Sequence, residues 1–279
     1  MDIERACLKK IILLALAEDR VEADVTTNSL LRFDGPARAE VRAKAAGVIS
    51  GTGVFAKTMR AVDSSLRITV IKADGGSVLP GDLVLEIEGR ESSILKGERA
   101  ALNFLQRLSG VASLTRCFME KLRPYRTELL DTRKTTPGMR FLEKKAVRDG
   151  GGSNHRLNLE DMAMVKDNHI EMAGGIPTAV AAVRLAFPGK KIEVEVKNIP
   201  ECEAALALDV EMIMLDNFPL DQVYRAVALN RGRARLEISG NVTLENIAEK
   251  AASGVDFISV GALTHSFHSL DLSLNIMRS

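Results

Sequence analysis

The chain has 279 residues, 46% hydrophobic and 27% charged, which is enough for one large domain with a smaller one beside it. The formal net charge is only +1, so no global basic field points to nucleic acid, and any preference for anions must come from a local cluster. Three widely separated cysteines, Cys7, Cys117 and Cys202, form no CxxC and argue against a disulfide framework or a structural zinc site. The apolar run at residues 11–17 is far too short to span a membrane, and no cleavable apolar region follows Asp2 and Glu4. A cytoplasmic protein with no nucleic-acid or membrane partner is expected.

Residues 3–18 predict an amphipathic helix with Ile3, Cys7, Ile11 and Leu14 on its apolar face. The Asp24-Val25-Thr26-Thr27 segment reads as a turn. Residues 38–49 alternate charged and apolar side chains, the period of a half-buried strand, and Gly51 and Gly53 end it. A helix over 54–62 and strands over 66–71 and 83–87 follow, with turns at Gly75-Gly76 and Pro80-Gly81. A long helix over about 96–122 completes a domain drawn at 1–112, α+β in character with a small antiparallel sheet.

From residue 128 short apolar strands recur, each ending in a polar residue: Asp131, Lys166, Glu195, Asp216, Ser239 and Ser259. Helical runs at 178–187, 201–208, 221–229 and 244–252 fill most of the gaps. Strands alternating with helices at this pitch imply parallel βαβ units. No GxGxxG follows the first strand and no GxxxxGK[ST] occurs, so a TIM-like barrel fits better than a dinucleotide fold. With six strands visible, that barrel over 113–279 is expected to be incomplete, or open on one side. A helical tail at about 265–279 is expected to pack back on the N-terminal domain.

In such barrels the chemistry sits at the carboxyl ends of the strands. The stretch from Asp131 to Ile170 concentrates cations there: Arg133, Lys134, His155, Arg156 and Lys166, to which Arg99 is added from the long helix. Cations held together without counter-charge imply an anionic partner, and a charge-assisted hydrogen bond to carboxylate or phosphate contributes roughly 1.5–3 kcal/mol. Glu193 and Glu195 share one strand face. Glu195 and Asp216 either pair with Lys166 and Arg133 structurally or face a divalent metal or developing positive charge; agreement among adjacent strand ends favours the second. Ser239-Gly240-Asn241 and Val260-Gly261-Ala262, each expected just before a helix, suit a phosphate grip. His265 and His268 lack a third ligand, and Gly75–Gly89 lacks the Met-Lys-Met of a carrier domain, so neither is assigned a role.

The motifs DTRKTTPG, VRDGGGSNHR, VKDNHI, EVEV, MLDN and DFISVGALTHS, in that order, with GERAALNFLQRLSGVAS upstream, resemble the quinolinate phosphoribosyltransferase family. The resemblance implies an α/β fold, an N-terminal α/β sandwich domain plus an incomplete (open) TIM-like α/β barrel, assembled as a homodimer. It implies transfer from 5-phosphoribosyl-1-pyrophosphate to quinolinate, with Mg²⁺, giving nicotinate mononucleotide, pyrophosphate and CO2. Carried onto matching positions, Thr132, Arg133, Lys134, His155, Arg156 and Lys166 would surround the quinolinate carboxylates and the pyrophosphate. Arg99 would reach the neighbouring subunit's site. Glu195 and Asp216 would face the ribose and, indirectly, the metal; Lys134, Glu195 and Asp216 would be catalytic. The SGN and VGA turns would hold the 5-phosphate. This chain departs from the family at Asn241, where Gly is usual, and at Ala23, where Gly precedes Asp. Two competitors are a same-fold enzyme acting on nicotinate or another small acid and a non-catalytic nucleotide-binding module. The density of cations favours a dicarboxylate over the first, and the full set of strand-end charges argues against the second.

Overall fold

The computed structural model describes residues 2–277. The chain forms two compact units. One comprises the residues up to Arg116, Thr135–Gly151 and the segment from Thr264 onward; the other comprises Cys117–Lys134 and Gly152–Leu263.

The first unit is built on strands β1 (Pro36–Ala43), β2 (Gly47–Val48), β3 (Arg67–Val70), β4 (Ser77–Val78) and β5 (Leu83–Arg90). Alternation along β1 buries Ala39, Val41 and Ala43 and leaves the intervening residues partly exposed. Ala39 and Val41 pair with Ile87 and Leu85 of β5, and all three pack in one core with Phe55 and Met59 of the helix Thr52–Val62 and Leu102 and Leu105 of the long helix Glu91–Leu122. Each such fully buried large side chain stabilises the unit by about 1.5–3 kcal/mol.

Two details of this unit differ from the sequence reading. The first helix, Asp2–Glu18, buries Ile12 and Leu16, whereas Leu14 is 69% exposed. The continuous apolar run 11–17 fits several helical phases, and packing chooses among them; the side chain of Ile3 lies outside the described residues. Asp24 does not simply turn the chain: its carboxylate accepts from Thr26 N and Thr27 N and caps the short helix Val25–Ser29.

The second unit carries β6 (Glu128–Leu130), β7 (Ala163–Val165), β8 (Ile192–Val196), β9 (Met212–Asp216), β10 (Arg235–Ser239) and β11 (Phe257–Ser259). All pair in parallel in the order β6-β11-β10-β9-β8-β7, with helices Ile176–Ala186, Ile199–Leu206, Leu220–Asn230 and Ile247–Ala251 between successive strands. First and last strands are neighbours while β6 and β7 are not, so the sheet is an open barrel with its gap between them. Because the strands are parallel, their carboxyl ends lie along one edge.

The tail corrects an expectation. It folds as strand β12 (Leu272–Met277), not as a helix, and joins the first unit's sheet beside β1, with Leu274 opposite Val41 and Leu272 opposite Ala43. Leu270, Leu272 and Leu274 are buried, as their period of two requires. The chain reaches this strand past Gly110 of the long helix, where a Cβ would stand 2.2 Å from the His268 carbonyl oxygen.

Candidate active site

The carboxyl ends of the second unit's strands surround a cleft of about 730 Å³. Thr132, Arg133 and Lys134 line it after β6, His155 and Arg156 from the next loop, and Lys166 after β7. Glu195, Asp216 and the Ser239-Gly240-Asn241 turn complete the polar lining, and Met164 and Met214 add thioethers.

One residue of the opening cluster works as scaffold. Asp131 is fully buried; its carboxylate accepts from His155 N at 2.9 Å and Asn154 Nδ2 at 2.6 Å. Ser153 N donates to Leu129 O and Asp131 N donates to Ser153 O, so this loop pairs locally with the free edge of β6. That stitching is what brings His155 and Arg156 to the side of the cleft where Arg133 stands.

The cations are unequally satisfied. Lys166 Nζ donates to Glu195 Oε2 at 2.5 Å, so Glu195 makes the structural pairing considered above. Arg156 donates from Nη1 to Met162 O. Burial, and then the charge of neighbouring Arg133, pull the Arg156 guanidinium below its ordinary pKa. The two guanidinium groups line one cleft, an arrangement that suits an anion.

Beneath them lies a cluster that the sequence reading only partly found. His155 Nε2 is 3.0 Å from Glu193 Oε2 and 3.3 Å from Glu237 Oε2, and both carboxylates are fully buried. Burial lowers the imidazole pKa, but hydrogen bonding to Glu193 and Glu237 and their charges outweigh it and hold His155 at about 9. Burial raises the Glu193 carboxyl as well. The amide of Arg156 donates to His155 Nδ1 at 2.8 Å, which instead favours the neutral ring with hydrogen on Nε2. Both shifts, upward for His155 and for Glu193, favour keeping a proton between these two groups. Although His155, Glu193 and Glu237 are the ligand types a metal uses, the Arg156 amide at Nδ1 leaves Nε2 as a donor toward the carboxylates, not a ligand. Glu195 and Asp216 differ: they are cleft-lining hard oxygens, the kind Mg²⁺ takes one or two at a time alongside phosphate oxygens and water.

Of the two turns assigned to phosphate, only Ser239-Gly240-Asn241 lines the cleft; Val260, Gly261 and Ala262 are not among the lining residues. Nor does Asn241 directly precede a helix, since Ile247–Ala251 starts after an intervening turn at Thr243–Asn246. The turn therefore presents its own backbone and side chains to the cleft, not a helix N-terminus. Arg99 belongs to the first unit, where it lines a separate groove with Arg20 and Lys96. Sequence reading missed Glu237 and Asn217 as lining residues, while Ser259, named there as a strand end, does line the cleft. Glu237 was accessible, because it stands two residues before Ser239 and a strand's period places both on one face.

Family models cover most of the chain. Residues 24–109 match the N-terminal domain of quinolinate phosphoribosyl transferase, and residues 111–275 match its C-terminal domain. A probable nicotinate-nucleotide pyrophosphorylase (carboxylating) from a Synechocystis species is 45% identical over 95% of this chain and 90% of its own length. The nicotinate-nucleotide pyrophosphorylase structure from Francisella tularensis superposes with a TM-score of 0.94 at 38% identity, over 98% of this chain and 96% of that one. The NadC structure from Streptococcus pyogenes gives 0.92 at 43% identity, over 97% of each. With an open parallel barrel, a cationic cleft at its strand ends and both halves matched in order, the chain belongs to the quinolinate phosphoribosyl transferase family.

Proposed function

We propose that the chain transfers the phosphoribosyl group of 5-phosphoribosyl-1-pyrophosphate to quinolinate, releasing pyrophosphate and CO2 and giving nicotinate mononucleotide for NAD biosynthesis. The observation that carries this reading is that Arg133, Arg156 and Lys166 line one cleft at the strand ends, with the charge of Arg133 beside Arg156. A ligand with two adjacent carboxylates relieves that repulsion, and two guanidinium forks suit it better than one carboxylate does.

Quinolinate binds with its carboxylates on Arg133, Arg156 and Lys166, and with its ring against Met164 and Met214. Its carboxylate competes with Glu195 for Lys166, so acceptor binding frees Glu195 to turn to the ribose. Thr132 and Lys134 hold the pyrophosphate, and Ser239, Gly240 and Asn241 take the 5-phosphate. As pyrophosphate departs, positive charge develops on the ribose, where Glu195 and Asp216 stabilise it. The pyridine nitrogen attacks C1 as the C1–O bond to pyrophosphate breaks; the 2-carboxylate then leaves as CO2, its electron pair stays on ring C2 as an ylide stabilised by the adjacent pyridinium nitrogen, and C2 takes up a proton from solvent. No side chain forms a covalent bond; orientation and charge lower the barrier. Glu195 and Asp216 are the cleft-lining carboxylates that would hold Mg²⁺, which when bound would supply positive charge to neutralise the leaving pyrophosphate.

The working form is a homodimer in which Arg99 of the partner subunit completes the cleft. Leu30, Leu31 and Phe33, exposed by 48–65% in the first unit, supply apolar surface for such an interface. Among the described residues no helix is long and apolar enough to cross a membrane. All three cysteines are free thiols, which supports a cytoplasmic setting.

Turnover with quinolinate and with nicotinate as acceptors tests the reading. Nicotinate mononucleotide is expected from quinolinate only; formation from nicotinate at an equal or greater rate would contradict the dicarboxylate site.

A further inference from the structure

Asn217 follows the last residue of β9 with φ 54°, and Asn241 follows Gly240 with φ 51°. L-residues reach this left-handed region at a cost, and asparagine tolerates it better than most because its short side chain can bond locally. Here the two side chains bond to each other. Asn241 Nδ2 donates to Asn217 Oδ1 at 3.0 Å, and Asn217 Nδ2 donates to Asp216 Oδ2 at 3.0 Å. Asn217 N donates to Ser239 O at 2.9 Å, tying the end of β9 to the loop by backbone as well. Farther out, Asn246 Nδ2 donates to Asn241 O, while Asn246 Oδ1 accepts from Thr243 N.

These bonds form one directed chain from the Thr243–Asn246 turn to the Asp216 carboxylate. Direction is what matters. An amide can be turned over, exchanging its oxygen and nitrogen. With Asn241 donating to Oδ1, the Asn217 amide has its N–H₂ toward Asp216; turned over, it would aim Oδ1 at a carboxylate and repel it. The space is also committed: a Cβ on Gly240 would lie 2.1 Å from Asn217 Oδ1, and Gly240 itself has φ 91°.

We propose that Asn241 is a positioning residue for phosphoribosyl transfer, acting through Asn217 to hold the Asp216 carboxylate toward the ribose. The inference rests on the reading given under Proposed function and adds a residue role to it. It couples the loop that takes the 5-phosphate to the carboxylate that meets the developing charge, so occupancy of one orders the other. Asn241 owes this role to its side chain, whereas the 5-phosphate meets the loop backbone.

A double-mutant cycle on the full-length enzyme tests it, with Asn241→Gly, Asn217→Gly and the two combined. Glycine keeps the left-handed backbone and removes only the side-chain link. Wild-type turnover of quinolinate is measured first, then kcat, KM for each substrate and melting temperature for every variant. Each single change is expected to lower kcat about three- to tenfold, the range of one neutral hydrogen bond, with KM for either substrate unchanged. The combined variant is expected to lose no more than Asn217→Gly alone, because both changes break one chain. Asn241→Asp, which cannot donate to Oδ1, is expected to lose as much as Asn241→Gly. Multiplicative losses in the combined variant, a rise confined to KM for the phosphoribosyl donor, or a lower melting temperature with kcat unchanged would each overturn the proposal while leaving the parent reading intact. Absence of wild-type turnover would overturn both.

Discussion

His155 Nε2 stands 3.0 Å from Glu193 Oε2 beneath the cleft, with Glu237 Oε2 at 3.3 Å on the same nitrogen. The partners raise the imidazole from 6.5 to about 9. A folded-state pKa above the unfolded one contributes stability that is fully present below pH 6.5 and is lost as pH rises through about 9. A raised Glu193 carboxyl acts with the same sign, favouring the fold at lower pH. The melting temperature of the wild type is therefore expected to fall between pH 6.5 and 9, and His155→Gln is expected to flatten that fall. Parallel profiles for the two proteins would show that the proton is not held there.

Asp131 accepts two hydrogen bonds from the loop that carries His155 and Arg156, one of them from a backbone amide. Asp131→Ala leaves those donors without their acceptor, at a cost of about 1–3 kcal/mol for each buried group. Denaturant unfolding is expected to show that loss. Asp131→Asn, which keeps one acceptor, is expected to fall between the two; an unchanged midpoint for Asp131→Ala would deny Asp131 its scaffold role.

Arg133→Lys and Arg156→Lys retain charge and lose the planar fork. Each is expected to raise KM for quinolinate by about ten- to a hundredfold, the equivalent of one charge-assisted hydrogen bond, and to leave KM for the phosphoribosyl donor nearly unchanged. Steady-state kinetics with one substrate varied at a time separates the two effects.

The proposed sharing of the site between two subunits makes a prediction about mixtures. Arg99→Ala and Lys166→Ala, each inactive alone, are expected to regain up to about a quarter of wild-type activity when their subunits are exchanged, because one of the two sites in half of the dimers is then intact. No recovery under conditions where exchange is demonstrated would place Arg99 outside the neighbouring site.

Much of this arrangement was legible before any coordinates. Parallel strands alternating with helices put every strand end on one edge, so Lys166, Glu195, Asp216 and Ser239 could be brought together by topology alone. The tail was misread as helical although Leu270, Leu272, Leu274 and Ile276 alternate with the period of the strand observed. The phase of the first helix was not legible, because residues 11–17 are apolar throughout and only tertiary packing selects Ile12 and Leu16. Asp131 read as part of the reactive cluster because its neighbours are; its burial follows from the loop at Asn154 folding back across 23 residues of chain. Asn217 and Asn241 are likewise 24 residues apart, and nothing in either local motif announces their hydrogen bond.

Release of CO2 from quinolinate labelled at the 2-carboxyl is the most direct test of the central claim. With 5-phosphoribosyl-1-pyrophosphate and Mg²⁺ present, one labelled CO2 is expected for each nicotinate mononucleotide formed, and none when the phosphoribosyl donor is omitted. Nucleotide formation with the label retained, or label released without the donor, would contradict a mechanism in which the pyridinium made by phosphoribosyl transfer drives the decarboxylation.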